Sequence, residues 1–245
     1  MRYDAEYEPR KILQYGTTGG GIMDNVKIID LKESILEDND KDAEVLRAEL
    51  KAKKISLMNL MSSPGSGKTT TLLALNKELG GRIKWGVMEA DIDSDVDAVT
   101  MQQAGVPAIQ LHTGGMCHLD ADMTRQGIRS FGRDDLDLIV LENIGNLVCP
   151  AEYDTGADIN MTILSVPEGD DKPLKYPLMY KVSDIMVINK IDALAVFDFD
   201  KEAMEAAVRK LNPDMVFFYI SALTGEGVKE LADYLVEKVR IHNEE

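Results

Sequence analysis

The sequence predicts a doubly wound α/β fold: a mostly parallel sheet of about seven strands with helices on both faces. Three observations predict it. Short apolar runs alternate with helical stretches from Ile55 onward. The runs are largely continuous in apolar residues, as strands covered on both faces require. Each chemistry-bearing motif follows directly after one of these runs, where the loops at the carboxyl edge of such a sheet lie.

The elements follow in chain order. Residues 1–25 contain Gly16, Gly19, Gly20 and Gly21 and little periodic apolar character. They read as a flexible N-terminal extension. Residues 26–245 read as a single domain that begins with a helix, Lys27 to Lys53, whose apolar stripe is Ile28, Leu31, Ile35, Ala43, Leu46 and Leu50. The expected strands are Ile55–Met61, Ile83–Glu89, Ala108–Leu111, Leu136–Leu141, Ile159–Val166, Ile185–Ile188 and Val216–Ile220. There is no internal repeat and no low-complexity segment.

Composition narrows the function. A chain of 245 residues suffices for one α/β domain with a full core. Its 27 Lys+Arg against 43 Asp+Glu give a net charge of −16, which repels phosphate backbones and argues against a nucleic-acid partner. No apolar run approaches the ~20 residues of a membrane-spanning helix, and Met1–Arg10 is charged, without an apolar signal core. No membrane partner and a cytoplasmic location are therefore expected. The two cysteines, Cys117 and Cys149, read as free thiols or ligands rather than a structural disulfide.

The strongest motif is Ser62-Ser63-Pro64-Gly65-Ser66-Gly67-Lys68-Thr69, between a strand and a helix containing Leu72, Leu73 and Leu75. That is the context of a phosphate-binding loop. Backbone N–H groups of the loop and helix start face the phosphates. Lys68 would reach the β- and γ-phosphates, and the Thr69 hydroxyl would hold Mg²⁺. The candidate phosphate contacts are Ser63, Pro64, Gly65, Ser66, Gly67, Lys68, Thr69 and Thr70. The loop departs from G-x-x-x-x-G-K-[ST] at its first position, which is Ser62.

Asn189-Lys190-Ile191-Asp192 follows the sixth run and reads the base. Asp192 can accept two N–H bonds from guanine, a pair that adenine lacks. The loop Ser221-Ala222-Leu223 can offer backbone N–H groups to guanine O6. GTP is the expected nucleotide. Glu142-Asn143-Ile144-Gly145 follows the fourth run: the Gly145 N–H could bind the γ-phosphate, and Glu142 stands where a Mg²⁺-linked carboxylate is expected. The usual loop here is D-x-x-G, so Glu142 is a departure. Asp91, after the second run, is the candidate for holding Mg²⁺ or polarising the attacking water. Asp93, Asp95 and Asp97 crowd the same stretch and also fit a solvated loop.

Cys117 and His118 are adjacent, and Cys149 lies four positions after Gly145. Thiolate and imidazole suit Zn²⁺ or Ni²⁺. Two Cys and one His do not close a tetrahedral site, so a partner subunit, a water or Asp120 would have to complete it. Buried structural cysteines are the alternative.

SSPGSGKTT, HTGGMCHLDA, LIVLENIGNLVCPAEYD, EGDDKPLKYP and the NKID–SALTGEG pair resemble the HypB-type hydrogenase maturation GTPases, of the SIMIBI class, from about Val26 to the C-terminus. The resemblance accommodates Ser62 and Glu142, because members carry SSPGSGKT and ENxGN. It implies a GTPase that helps insert nickel into [NiFe]-hydrogenase, with a Ni²⁺ or Zn²⁺ site from Cys117, His118 and Cys149. It also implies a GTP-dependent homodimer with the metal near the subunit interface, working with hydrogenase maturation proteins and the hydrogenase large subunit. Two features of some members are missing: residues 1–25 contain no Cys, and the chain has only His112, His118 and His242. A tight nickel store is therefore not expected. His112 reads as a core histidine and His242 as part of a C-terminal tail. The alternatives are a urease-accessory GTPase, whose metal motif resembles Cys-Pro-His rather than joined Cys117-His118, and a non-catalytic scaffold in which GTP only drives dimerisation.

Overall fold

The computed structural model describes residues 31–91 and 96–244. The expected extension over residues 1–25 and the helix start at 27–30 lie outside the described residues, as do Asp93 and Asp95. From Lys32 onward the described residues form one compact unit.

Helix α1 (Leu31–Lys53) buries Ala43, Leu46 and Leu50 of the expected stripe. The seven strands are β1 (Ser56–Ser62), β2 (Trp85–Asp91), β3 (Ala108–His112), β4 (Leu138–Glu142), β5 (Ile159–Ser165), β6 (Ile185–Asn189) and β7 (Val216–Tyr219). They form one sheet in the order β3-β2-β4-β1-β5-β6-β7, parallel at each pairing. Strand ends agree with expectation to within two residues. Helix α2 (Lys68–Leu79) returns from β1, α3 (Val96–Gln103) from β2 and α4 (Ala121–Phe131) from β3. The one-turn helices α5 (Cys149–Glu152), α6 (Lys172–Lys175) and α7 (Pro177–Val182) flank β5. Helices α8 (Lys201–Leu211) and α9 (Val228–Glu244) complete the fold.

Alternate strand residues enter different cores, which is the two-residue period of a strand covered on both faces. Met58 and Leu60 of β1 pack with Leu72 of α2, Met101 of α3 and Leu231 of α9. Leu57 and Met61 face the other side, where α1 and α4 supply Leu46 and Ile128, and α7 and α8 supply Met179 and Val208. His242 is not in a tail: α9 continues through it, and its imidazole approaches Asp158 at 3.4 Å. The helix is held there by Asn243, whose Nδ2 donates to Asp137 O at 3.2 Å.

Placing β1 between β4 and β5 brings three loops together at the carboxyl edge. The β1–α2 loop lies between the loop after Glu142 and the loop after Ser165.

Candidate functional site

The β1–α2 loop is stapled by its own hydroxyls. Ser66 Oγ donates to Ser62 Oγ at 2.7 Å, and Ser62 Oγ donates to Ser63 O at 2.9 Å. This gives Ser62 a reason to stand where glycine is usual: its buried hydroxyl closes the loop. Gly67 precedes α2 at φ 97°, a conformation that L side chains rarely adopt. A Cβ there would sit 2.5 Å from Asn189 Nδ2. Ser63 Oγ also donates to Glu168, which in turn accepts from Ser165 N–H at 2.9 Å and Ser165 Oγ at 2.7 Å.

A cleft of about 420 Å³ opens over this loop. Lys68, Thr69, Thr70, Asp91, Asp97, Glu142 and Gly145 line it, with Pro64, Gly65, Gly67 and Ile144. Lys68 Nζ lies 3.8 Å from Glu142 Oε1, and Thr69 Oγ1 donates to the same oxygen at 3.5 Å. Gly145 rests on the loop: a Cβ would lie 3.0 Å from Pro64 Cγ and 3.1 Å from Pro64 N. Asp97 joins the cleft although the crowding of aspartates around it read equally as a solvated loop.

Sequence reasoning missed Glu89. The β2–β4 register pairs Glu89 with Glu142, and both are buried. Burial, followed by the neighbouring Glu142 charge, raises Glu89 strongly. Burial also raises Glu142, opposed mainly by Lys68. Two carboxylates cannot both ionise cheaply at such a site, so together they hold a proton. Glu89 Oε1 and Glu142 Oε2 are buried without a hydrogen-bond partner. Buried carboxyl oxygens of this kind beside Thr69 fit a hard divalent cation such as Mg²⁺, which would take the place of the shared proton. Below them a ladder of asparagines fixes the end of β4. Asn143 Nδ2 donates to Asn59 Oδ1 at 3.0 Å, and Asn59 Nδ2 to Asn160 Oδ1 at 3.3 Å.

The expected base loops meet the phosphate loop. Asn189 Nδ2 donates to Ser66 O at 2.9 Å, and Lys190, at φ 61°, donates from Nζ to Gly65 O at 2.6 Å. Asp192 Oδ1 accepts from Ser221 Oγ at 2.6 Å. The Ser221 N–H donates to Glu226 O and the Ala222 N–H to Asn189 Oδ1. A base oxygen arriving at this loop therefore has to displace or share the bond at Ala222. Leu223 is exposed.

The third group is also assembled. Cys117 Sγ and Cys149 Sγ are 2.8 Å apart, and His118 Nδ1 lies 3.9 Å from Cys117 Sγ. The His118 ring stacks on Tyr153, with centroids 3.7 Å apart and planes at 12°. Burial lowers the His118 pKa, while contact with Cys117 and then burial raise that of Cys149. Asp120 is committed elsewhere: its Oδ1 caps α4 by accepting from Met123 N–H at 2.8 Å. Among the described residues, no three His, Cys, Asp or Glu side chains are arranged to hold a metal ion. The sulfurs themselves are closer than two thiolates of one tetrahedral ion, roughly 3.7 Å at the usual Zn–S length. The donor chemistry fits a soft divalent cation, but the pair must open to receive one.

A glycine-bearing turn between a central parallel strand and a helix, with lysine and threonine opening that helix, defines a P-loop nucleotide-binding protein. Residues 56–219 match the model of the family described as CobW/HypB/UreG, nucleotide-binding domain. The hydrogenase maturation factor HypB of Azotobacter vinelandii is 45% identical over 206 residues, 83% of this chain and 67% of that one. HypB of Escherichia coli K12 is 40% identical over 220 residues, 90% of this chain and 76% of that one. The crystal structure of Helicobacter pylori HypB in complex with nickel superposes with a TM-score of 0.80 at 36% identity, covering 84% of this chain and 97% of the other. The chain belongs to the HypB hydrogenase maturation factors. Among the described residues, no helix is long and apolar enough to cross a membrane.

Proposed function

We propose that this protein is a GTP-hydrolysing metallochaperone that assists nickel insertion into [NiFe]-hydrogenase. One observation carries the reading. The segment that places Gly145 against Pro64 continues, four residues later, into Cys149, whose sulfur meets Cys117. A nucleotide that moves Gly145 therefore moves one half of a thiol pair. Nickel is the cargo. The relative whose structure holds nickel supports the choice of metal, and the soft donor set supports Ni²⁺ or Zn²⁺.

Lys68 holds the β- and γ-phosphates, Gly145 offers its N–H to the γ-phosphate, and Asp192 accepts from guanine. Thr69 and Asp91, beside Glu142, would hold Mg²⁺, which would supply charge neutralisation at the phosphates. Asp91 orients the attacking water. The three donors in one protomer do not close a site, which supports a GTP-dependent homodimer as the metal-competent form. The hydrogenase large subunit and other maturation proteins are the partners, and the cytoplasm is the location.

The test titrates Ni²⁺ and Zn²⁺, under reducing conditions, into protein loaded with GDP or with a non-hydrolysable GTP analogue. The expected ratio of affinities is ~5- to 150-fold, the range of ordinary site–site coupling. Equal affinities would sink the coupling, and unchanged binding after loss of both cysteines would sink the metal site. Multiple-turnover phosphate release separates an enzyme from a dimerisation scaffold.

A further inference from the structure

Tyr153 has no part in the nucleotide cleft, yet it covers one face of His118. We propose that Tyr153 is the positioning residue for this histidine, fixing the plane of the imidazole beside the two thiols. The proposal rests on the reading of Cys117, His118 and Cys149 as metal donors.

An imidazole ligates through a lone pair that lies in the ring plane, so the plane of the ring decides where a cation can sit. Near-parallel stacking at 3.7 Å leaves His118 free to slide or turn within that plane but not to leave it. Its Nδ1 lies on the Cys117 side, 3.9 Å from the sulfur, and the stack keeps the donor lone pairs in that plane.

The tyrosine itself is held by the frame of the fold. It follows α5 in extended conformation. Its neighbour Asp154 is gripped at both oxygens by Arg47, at 2.9 and 2.6 Å. The Asp154 carbonyl accepts from Asn39 Nδ2 at 2.9 Å, and Asn39 Oδ1 accepts from Ala121 N–H at 2.9 Å. One buried α1 side chain thus ties the Tyr153 segment to the chain three residues beyond His118. Cys149, in contrast, lies four residues before Tyr153, toward Gly145. Tyr153, His118 and Cys117 form the fixed side of the corner, and Cys149 is the donor that the nucleotide loop carries.

The test uses the metal-free full chain, whose only histidines are His112, His118 and His242. Proton–carbon spectra, with the signal assigned by His118→Ala, read the ring current of Tyr153 as an upfield shift of the His118 Cε1 proton. Tyr153→Phe keeps this shift and the Ni²⁺ affinity. Tyr153→Ala and Tyr153→Leu lose the shift and bind Ni²⁺ about tenfold more weakly, at the lower end of what removing a ligand's supporting contact costs. An unshifted His118 in the parent overturns the stack. Parent-like Ni²⁺ affinity in both the Ala and Leu variants overturns the positioning role, as does a Phe variant as weak as Ala. Failure of the metal reading looks different: Ni²⁺ affinity survives loss of both cysteines while the His118 shift remains.

Discussion

The phosphate cleft and the thiol–imidazole corner share one edge of the sheet and one connecting loop, but they are prepared to different degrees. Around the β1–α2 loop, the loop hydroxyls, Asn189, Lys190 and Glu168 are already bonded to the loop or its neighbours. Polar groups of that kind cost free energy unless they are satisfied, so the nucleotide side is preassembled by necessity. At the corner, two thiols touch at 2.8 Å, and Asp120 is spent on a helix cap. Weakly polar sulfurs tolerate such an arrangement with little else bonded to them. The difference teaches that the loop on the nucleotide side is largely built, apart from the Glu89–Glu142 pair and the Ala222 bond, whereas the thiol pair must open before it can take a metal.

Removing the group on which the nucleotide side turns is expected to have the largest effect. Lys68→Ala takes away the cation that lies 3.8 Å from Glu142 in the cleft over the β1–α2 loop. Phosphate release should fall by about a thousandfold, the loss expected when a preorganised charge at a transition state is deleted. Turnover near the parent value would show that the cleft is not the catalytic centre.

Asp192→Asn comes next. It removes the acceptor for guanine N–H groups and costs on the order of 2–4 kcal/mol, roughly 30- to 900-fold in GTP affinity. Xanthine nucleotides should gain in its place. Competition binding with both nucleotides checks this, and unchanged GTP affinity removes Asp192 as base reader. The loss should leave the corner's thiol contact intact, sharpening the contrast between the two regions.

Much of this architecture was legible in the chain, and the reasons are physical. Strands such as Leu138–Leu141 and Ile185–Ile188 are buried on both faces, so each prints a continuous apolar run. The phosphate loop is read from local spacing alone. Glu89 was not legible, because its meaning depends on β2 lying beside β4, and non-consecutive parallel neighbours leave no mark in the order of residues. The Tyr153–His118 stack is hidden for the same reason, since the rings lie 35 positions apart in the chain. Asp97 lay within a run of aspartates, where spacing cannot tell a cleft residue from a solvated one.

Glu89 gives a pH test of the nucleotide side. Its folded-state pKa is raised by burial and by Glu142, so the folded state holds a proton that the unfolded chain releases near pH 4.5. The metal-free protein should therefore lose stability as pH climbs above that value. The slope is at most about 1.4 kcal/mol per pH unit for one proton, and it ends where the folded pair finally ionises. Glu89→Gln keeps a neutral side chain in the same volume and should flatten the slope. Denaturant melts of both proteins between pH 5 and pH 8 decide it: identical slopes would assign the pH dependence to other groups.

The smallest effect is expected from restoring the usual glycine at Ser62. Its hydroxyl accepts from Ser66 and donates to Ser63 O, and both Ser62 and Ser66 are fully buried. Ser62→Gly strands the Ser66 hydroxyl and loosens the backbone, each a matter of about 1 kcal/mol. Stability should drop by roughly 1–2 kcal/mol by those same terms, with nucleotide affinity weakened only a few-fold. The corner's own ties, through Asp154 and Asn39, do not involve Ser62, so the cost should fall on the cleft alone. Thermal melts with and without GDP separate the two contributions. If Ser62→Gly instead matches the parent in both, the loop's order comes from its backbone and from Asn189, and the hydroxyl chain is incidental to preassembly.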